Sequence, residues 1–256
     1  MMMRRLGVLV YGLLAYLIAL AAVAAAIGFL ANVELPGGVP AGIDQGTPGP
    51  VGVAVVVNTL LLAVFALQHS VMARSGVKRW LTRLLPRSTE RSTYVLASSL
   101  ALIALMAWWQ PLPTLVWSVQ TPALRAVLWG LYVVGWLTVL ASTFMIDHLD
   151  LFGLRQVIAR ARERRHRAPG FRQTWLYRVV RHPIMVGFLI AFWATPDLSQ
   201  GRLLFAVLGT AYILLGVTLE ERDLVAYLGE DYRRYQQQVP RLLPTPTRTT
   251  GTPVGS

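Results

Sequence analysis

Leu6–Ala31 is a run of 26 residues without one charged side chain, and it narrows the folds open to this chain more than any other feature. At 1.5 Å per residue a helix of that length reaches about 39 Å, beyond the roughly 30 Å hydrocarbon core of a bilayer. It also exceeds the apolar core of a signal peptide. Further apolar runs follow at Val51–Leu67, Ser92–Trp109, Ala123–Ile146, Pro183–Ala194 and Leu203–Leu219. The last two are short, about 18 and 25 Å as helices, and between them Pro196, Asp197 and Gly201 in Thr195–Arg202 break any continuous helix. They read as a hairpin that re-enters or crosses a thinned bilayer. With 55% hydrophobic and only 14% charged residues, the 256-residue chain has too much apolar surface for a water-soluble fold to bury. The expected fold is all-α: a polytopic integral membrane protein with five or six transmembrane segments, a C-terminal helical hairpin and cytoplasmic amphipathic helices.

The connections fix an orientation. Asn32–Pro50 gathers Gly and Pro and has no Lys or Arg, and Gln110–Pro122 is a Pro-rich loop carrying Trp117. Arg74–Arg91 holds six basic residues around Trp80 and paired Leu residues, the pattern of an interfacial helix. Arg155–Arg181 holds nine Arg residues and one acid, Glu163. Twenty-two of the 24 Lys and Arg residues fall on one side of this topology, leaving only Arg125 and Arg202 opposite. The positive-inside rule then places both termini in the cytoplasm and the protein in the cell (inner) membrane. The tail Pro244–Ser256, rich in Pro, Thr and Gly, reads as disordered.

The net charge of +12 is distributed among apolar runs and has no stacking surface beside it, so nucleic acid is not the expected partner. The absence of Cys excludes disulfides, thiolate metal ligands and a cysteine nucleophile. Four His residues without HxxxH-type spacing give little support to a metal site, and none is expected.

Under this topology Gln68-His69, Asp147-His148, His182 and Glu220-Glu221 arrive at one membrane depth from separate helices. Ionisable groups at such positions point to a functional site, although each alone is also what marks the end of a span. Pro183 suits the first position of a helix and leaves His182 beside the free amides of its N-terminus. Gly187, four residues on, admits either a ligand or a neighbouring helix. Adjacent Glu220 and Glu221 point about 100° apart, so one faces the site or the Arg-rich connection while the other caps or is solvated. Tyr232 and Tyr235 share a helical face, which either walls a pocket for a cationic ligand or packs an amphipathic helix.

Arg181-His182-Pro183, Gly187, Glu220-Glu221, Leu224 and Tyr232-x-x-Tyr235-x-x-x-Val239-Pro240-Arg241 resemble the isoprenylcysteine carboxyl methyltransferase and phospholipid methyltransferase superfamily. Met185 departs from that pattern, which usually has Tyr there. Phe65–Ser70 with Met72-Ala-Arg74, Glu90–Tyr94 and Asp147–Gly153 resemble a narrower branch, the methanethiol S-methyltransferases, related to NnrU-type membrane proteins. The resemblance implies one membrane-embedded methyltransferase domain over residues 1–243, with a cofactor region at 177–241. It implies S-adenosylmethionine as methyl donor and a small thiol as substrate, methanethiol giving dimethyl sulfide beside the lipid bilayer. The cofactor would be held by Tyr177, Arg181, His182, Pro183, Met185, Gly187, Glu220, Glu221, Tyr232, Tyr235 and Arg241. Thiolate is the better nucleophile and a free thiol titrates near 8.5, so a base helps at neutral pH. His148, oriented by Asp147, and His69 are the candidates for that base. The alternatives are a lipid or isoprenylcysteine-type acceptor, or a non-enzymatic membrane carrier or interaction protein.

Overall fold

The structure is a computed structural model and describes residues 2–33, 42–166 and 174–244. The expected disordered tail therefore lies, apart from Pro244, outside the described residues. The chain runs α1 (Met2–Ala31), α2 (Val51–Ala73), α3 (Ser75–Leu84), α4 (Glu90–Ala107), β1 (Leu115–Ser118), α5 (Pro122–Ile146), α6 (His148–Leu151) and α7 (Leu154–Ala161). A 3-10 turn (Trp175–Arg178) precedes α8 (Pro183–Trp193), β2 (Asp197–Ser199), α9 (Gln200–Leu228) and α10 (Glu230–Gln238).

α1, α2, α5 and α9 are long and apolar enough to cross a membrane. The other two apolar runs form shorter or less apolar helices: α4 has 18 residues and α8 has 11. Large apolar side chains such as Leu17, Val56, Leu60, Leu137, Phe144 and Leu215 face outward. Only lipid makes that arrangement favourable over so many helices, and the chain is a membrane protein.

α1 packs on α4, α2 lies against α4 and α9, and α5 runs along α8. The α5–α8 contact depends on two glycines. A Cβ on Gly187 would stand 2.6 Å from the Gly135 carbonyl oxygen, and one on Gly135 would stand 2.8 Å from both Ala191 N and Gly187 O. Small residues let backbones approach this closely where the hydrophobic effect gives helices no reason to associate.

One end of the bundle is closed by structure that the sequence reading leaves as loops. β1 and β2 pair antiparallel, joining the Gln110–Pro122 and Thr195–Arg202 connections into a short ribbon. Arg125 grips both oxygens of Asp197 at 2.9 and 2.7 Å, and Ser118 donates to the same carboxylate at 2.6 Å. Buried Arg202 donates to the carbonyls of Leu30, Ala191 and Ala194. Those carbonyls belong to the last turns of α1 and α8, where backbone acceptors lack intrahelical partners and a cation is favoured.

At the opposite end α9 outlasts the apolar run Leu203–Leu219. Its 29 residues reach about 44 Å, so the turns around Glu220 and Glu221 emerge from the hydrocarbon while still helical. Gly229, at φ +61, lets the chain turn into α10, which folds back on α9.

Candidate functional site

The site forms where the start of α8 meets the segment after α10. Arg181 N donates to the Pro240 carbonyl at 2.9 Å and His182 N to that of Arg241 at 3.3 Å, so the two sequence motifs are joined through their backbones. Pro183 takes the first turn of α8, where its missing amide hydrogen costs nothing.

Glu221 is the hub. Its Oε1 accepts from Arg181 Nε at 2.7 Å and lies 3.0 Å from His182 Nε2, and its Oε2 accepts from Gln236 Nε2 at 3.3 Å. Arg181 also donates to the Gln236 and Val239 carbonyls at 2.9 and 2.5 Å, fixing the approach to α10's end. The Glu221, Arg181 and His182 side chains are all buried. A buried carboxylate persists because charged donors surround it. Arg241 donates from its Nη2 to Thr218 Oγ1 at 2.7 Å. Its buried Nε sits 3.5 Å from Glu221 Oε2 without hydrogen-bond geometry to any described group.

Glu220 is on the other side of α9, as adjacent helical positions require. Its half-exposed carboxylate lies 3.8 Å from His182 Nδ1. The cluster thus offers a carboxylate, an imidazole nitrogen and a buried guanidinium N–H that its own packing does not use. Tyr177 borders it: burial raises its phenol well above the usual range, with Glu220 and Tyr235 adding to the effect. Met185 is in the first turn of α8, partly buried.

Other residues of the same motifs serve packing. Tyr232 and Tyr235 are almost fully buried, with ring centroids 5.7 Å apart, in an apolar cluster with Val239 and the last turns of α9. Tyr235 donates to the Tyr177 carbonyl at 2.5 Å, and its hydroxyl, chiefly through burial, is pushed up to about 12. The pair fastens α10 against the last turns of α9. Gly187 is likewise taken by α5, with no space on that face for a ligand.

The two candidate bases have different surroundings. On α2, His69 has Tyr94 Oη 2.8 Å from its Nε2 and Ser98 Oγ 3.2 Å from its Nδ1, and its ring stacks on Phe65. The next residue, Ser70, bonds Tyr212 of α9 at 3.2 Å, and Tyr94 lies within electrostatic reach of Glu220.

His148 is buried between α1 and α5. Its Nε2 is 2.9 Å from Tyr16 Oη, its Nδ1 is 2.9 Å from Thr143 Oγ1, and its ring stacks on Phe144 at 4.4 Å. Burial holds its imidazole below the ordinary 6.5, against the pull of Asp147. Asp147 does not orient that ring. Its carboxylate meets Arg155 at 2.7 Å and caps the amide of Asp150 at 3.1 Å, because φ +142 turns the chain sharply there. With both nitrogens engaged by neighbouring helices, His148 is an interhelical tie.

Tyr94 is legible only within the Glu90–Tyr94 resemblance. Thr218 is foreshadowed by its position one turn before Glu221 on α9. Ser98, Tyr212 and Gln236 carry no sequence signal, being ordinary helical residues until the fold aims them. Among the described residues no group of three His, Asp or Glu side chains is arranged to hold a metal ion.

Fold and site together define a polytopic helical membrane protein with a charged cluster at one end of its bundle. The family described as NnrU protein matches residues 57–218. A methanethiol S-methyltransferase from Mycobacterium tuberculosis is 52% identical over 248 residues, covering 97% of this chain and 100% of that protein. One from a Pseudomonas species (strain GM41) is 48% identical, covering 96% and 94%. Methanethiol S-methyltransferase 2 of Bradyrhizobium diazoefficiens is 46% identical, covering 100% and 99%. The chain belongs to the NnrU family, in the group that holds these methanethiol S-methyltransferases. No solved structure matches it significantly.

Proposed function

We propose that this protein is a methyltransferase that converts methanethiol to dimethyl sulfide, with S-adenosylmethionine as methyl donor. The observation that carries the reading is similarity of about half of all residues, over nearly the whole chain, to proteins named for that activity. The cluster around Glu221 supports it because its free groups suit such a donor. Buried Arg241 Nε complements a carboxylate, Glu220 complements an ammonium or ribose hydroxyls, and the face of the Tyr177 ring suits a sulfonium. When bound, the cofactor would supply a sulfonium-activated methyl group, whose carbon the thiol sulfur attacks as its bond to the departing S-adenosylhomocysteine sulfur breaks.

The chain's own work is positioning and proton removal. Arg181 and His182 hold Glu221 and thereby the register between α8 and the 239–241 segment, so the binding groups are set before ligands arrive. Positioning of this kind is worth on the order of 7–11 kcal/mol in favourable cases. The thiol proton passes to Tyr94 Oη as Tyr94 releases its own to His69 Nε2 along the 2.8 Å contact. An apolar thiol reaches the site from lipid and the polar cofactor from the cytoplasm. The distribution of Lys and Arg supports cytoplasmic termini and an inner-membrane location.

The test is a headspace assay on purified, detergent-solubilised protein given methanethiol and S-adenosylmethionine, with His182→Ala as control. Dimethyl sulfide that requires both substrates and falls in the control is the expected result. Cofactor binding without dimethyl sulfide would reject methanethiol as acceptor.

A further inference from the structure

Away from the Glu221 cluster, the turn between α3 and α4 faces α7 across an open cavity of about 510 Å³. Arg87, Ser88, Gln156, Arg160 and Arg164 line it, with His166 at its edge. The Asp150 carboxylate is engaged through Oδ1, by His166 Nε2 at 2.5 Å and Gln156 Nε2 at 3.2 Å. No ion pair joins Arg87, Arg160 or Arg164 to a carboxylate among the described residues. Three arginines thus line one cavity with no carboxylate paired to any of them among the described residues, an arrangement that an anion would stabilise.

Two further atoms narrow the chemistry. Ser88 Oγ and Gln156 Oε1 are both buried without a hydrogen-bond partner. The serine hydroxyl is able to donate to a phosphate oxygen. The Gln156 amide nitrogen is committed to Asp150, so its oxygen is held as an acceptor and calls for a hydroxyl donor. Depth narrows it further. α3 buries Leu81 and turns Arg79 and Arg83 outward, and α7 buries Leu154 and Val157 while exposing Arg155 and Arg160. Two short amphipathic helices joined to transmembrane spans lie at headgroup level.

We propose that this cavity is a binding site for a phosphate anion flanked by hydroxyl groups, the chemistry that a glycerol headgroup of an acidic phospholipid presents at that depth. The arginines take the phosphate, Ser88 adds a donor, and Gln156 Oε1 accepts from the headgroup hydroxyl. The site is independent of the methyl-transfer reading, since it shares no residue with the Glu221 cluster.

The experiment uses the full chain in nanodiscs of phosphatidylcholine containing a minor fraction of phosphatidylglycerol, with co-purifying lipid counted by mass spectrometry. Retention of phosphatidylglycerol above its bulk share is expected. It should fall roughly a hundredfold in affinity in the Arg87→Gln, Arg160→Gln, Arg164→Gln triple variant, and about fivefold in Arg160→Gln alone. The single variant alters an exposed side chain, so it guards against a folding defect in the triple. Failure of millimolar glycerol phosphate to displace the lipid assigns the site to the membrane; displacement assigns it to a soluble phosphate ester of the same chemistry. Equal retention of phosphatidylcholine, or undiminished phosphatidylglycerol in both variants, would overturn the proposal.

Discussion

Each end of this bundle is built around a buried arginine, and the two are used in opposite ways. Arg202 spends its donors on the carbonyls ending α1 and α8, and nearby Asp197 is fully engaged by Arg125 and Ser118. Arg181 instead holds a carboxylate, and around that pair Glu220, His182 Nδ1 and Arg241 Nε are left for something else. A charge that satisfies backbone closes a fold; a charge that fixes another charge prepares a site. The comparison explains why a chain with so few charged residues buries two guanidiniums.

The largest expected effect falls at the closed end. Arg202→Met strands several buried carbonyls, at ~1–3 kcal/mol for each group left unsatisfied, so denaturation should show a loss of about 3 kcal/mol or more. Residual folded protein should bind S-adenosylmethionine with unchanged affinity. Next comes Glu220→Gln, which keeps shape and removes the available charge. It should lower kcat/KM about a hundredfold, ~2.7 kcal/mol, with little change in melting temperature. A stability loss with intact activity would erase the distinction between the two ends.

Gly187→Ala sharpens it from a third position. Its Cβ meets α5 backbone at 2.6 Å, so overpacking should cost about 1–3 kcal/mol of stability, measured by chemical denaturation. If the variant instead lost cofactor affinity at full stability, Gly187 would belong to the ligand. The smallest effect concerns His148. Its folded imidazole titrates below 6.5, so the unfolded chain binds the proton more readily; stability is fully present above that value and declines as pH falls through it. His148→Gln should flatten that acid limb, while turnover changes much less than in His69→Gln.

Much of this was legible in the sequence because lipid imposes simple rules. The uncharged runs locate the spans, and the pairing of Arg181-His182-Pro183 with Glu220-Glu221 and Val239-Pro240-Arg241 locates the cluster. What escaped depends on contacts distant along the chain or on very short elements. The β1–β2 ribbon pairs four residues with three inside Pro-containing loops, too little for a period to show. Arg202 reads as a cation without a partner on the far side because its partners are carbonyls, which every sequence supplies. His148 invites pairing with its neighbour Asp147, whereas its actual partner Tyr16 lies 132 residues away. Tyr232 and Tyr235 have the spacing of a pocket wall and of a packed face alike, and their packing against the last turns of α9 depends on where that distant helix lies.

The most direct measurement compares initial rates of dimethyl sulfide formation by Glu220→Gln and Asp197→Asn, each normalised to folded protein. Both remove one carboxylate charge, at opposite ends of the bundle. The account requires about a hundredfold loss in the first and less than about threefold in the second, ~0.7 kcal/mol. Equal losses, or a larger loss in Asp197→Asn, would contradict the placement of the chemistry at the Glu221 end.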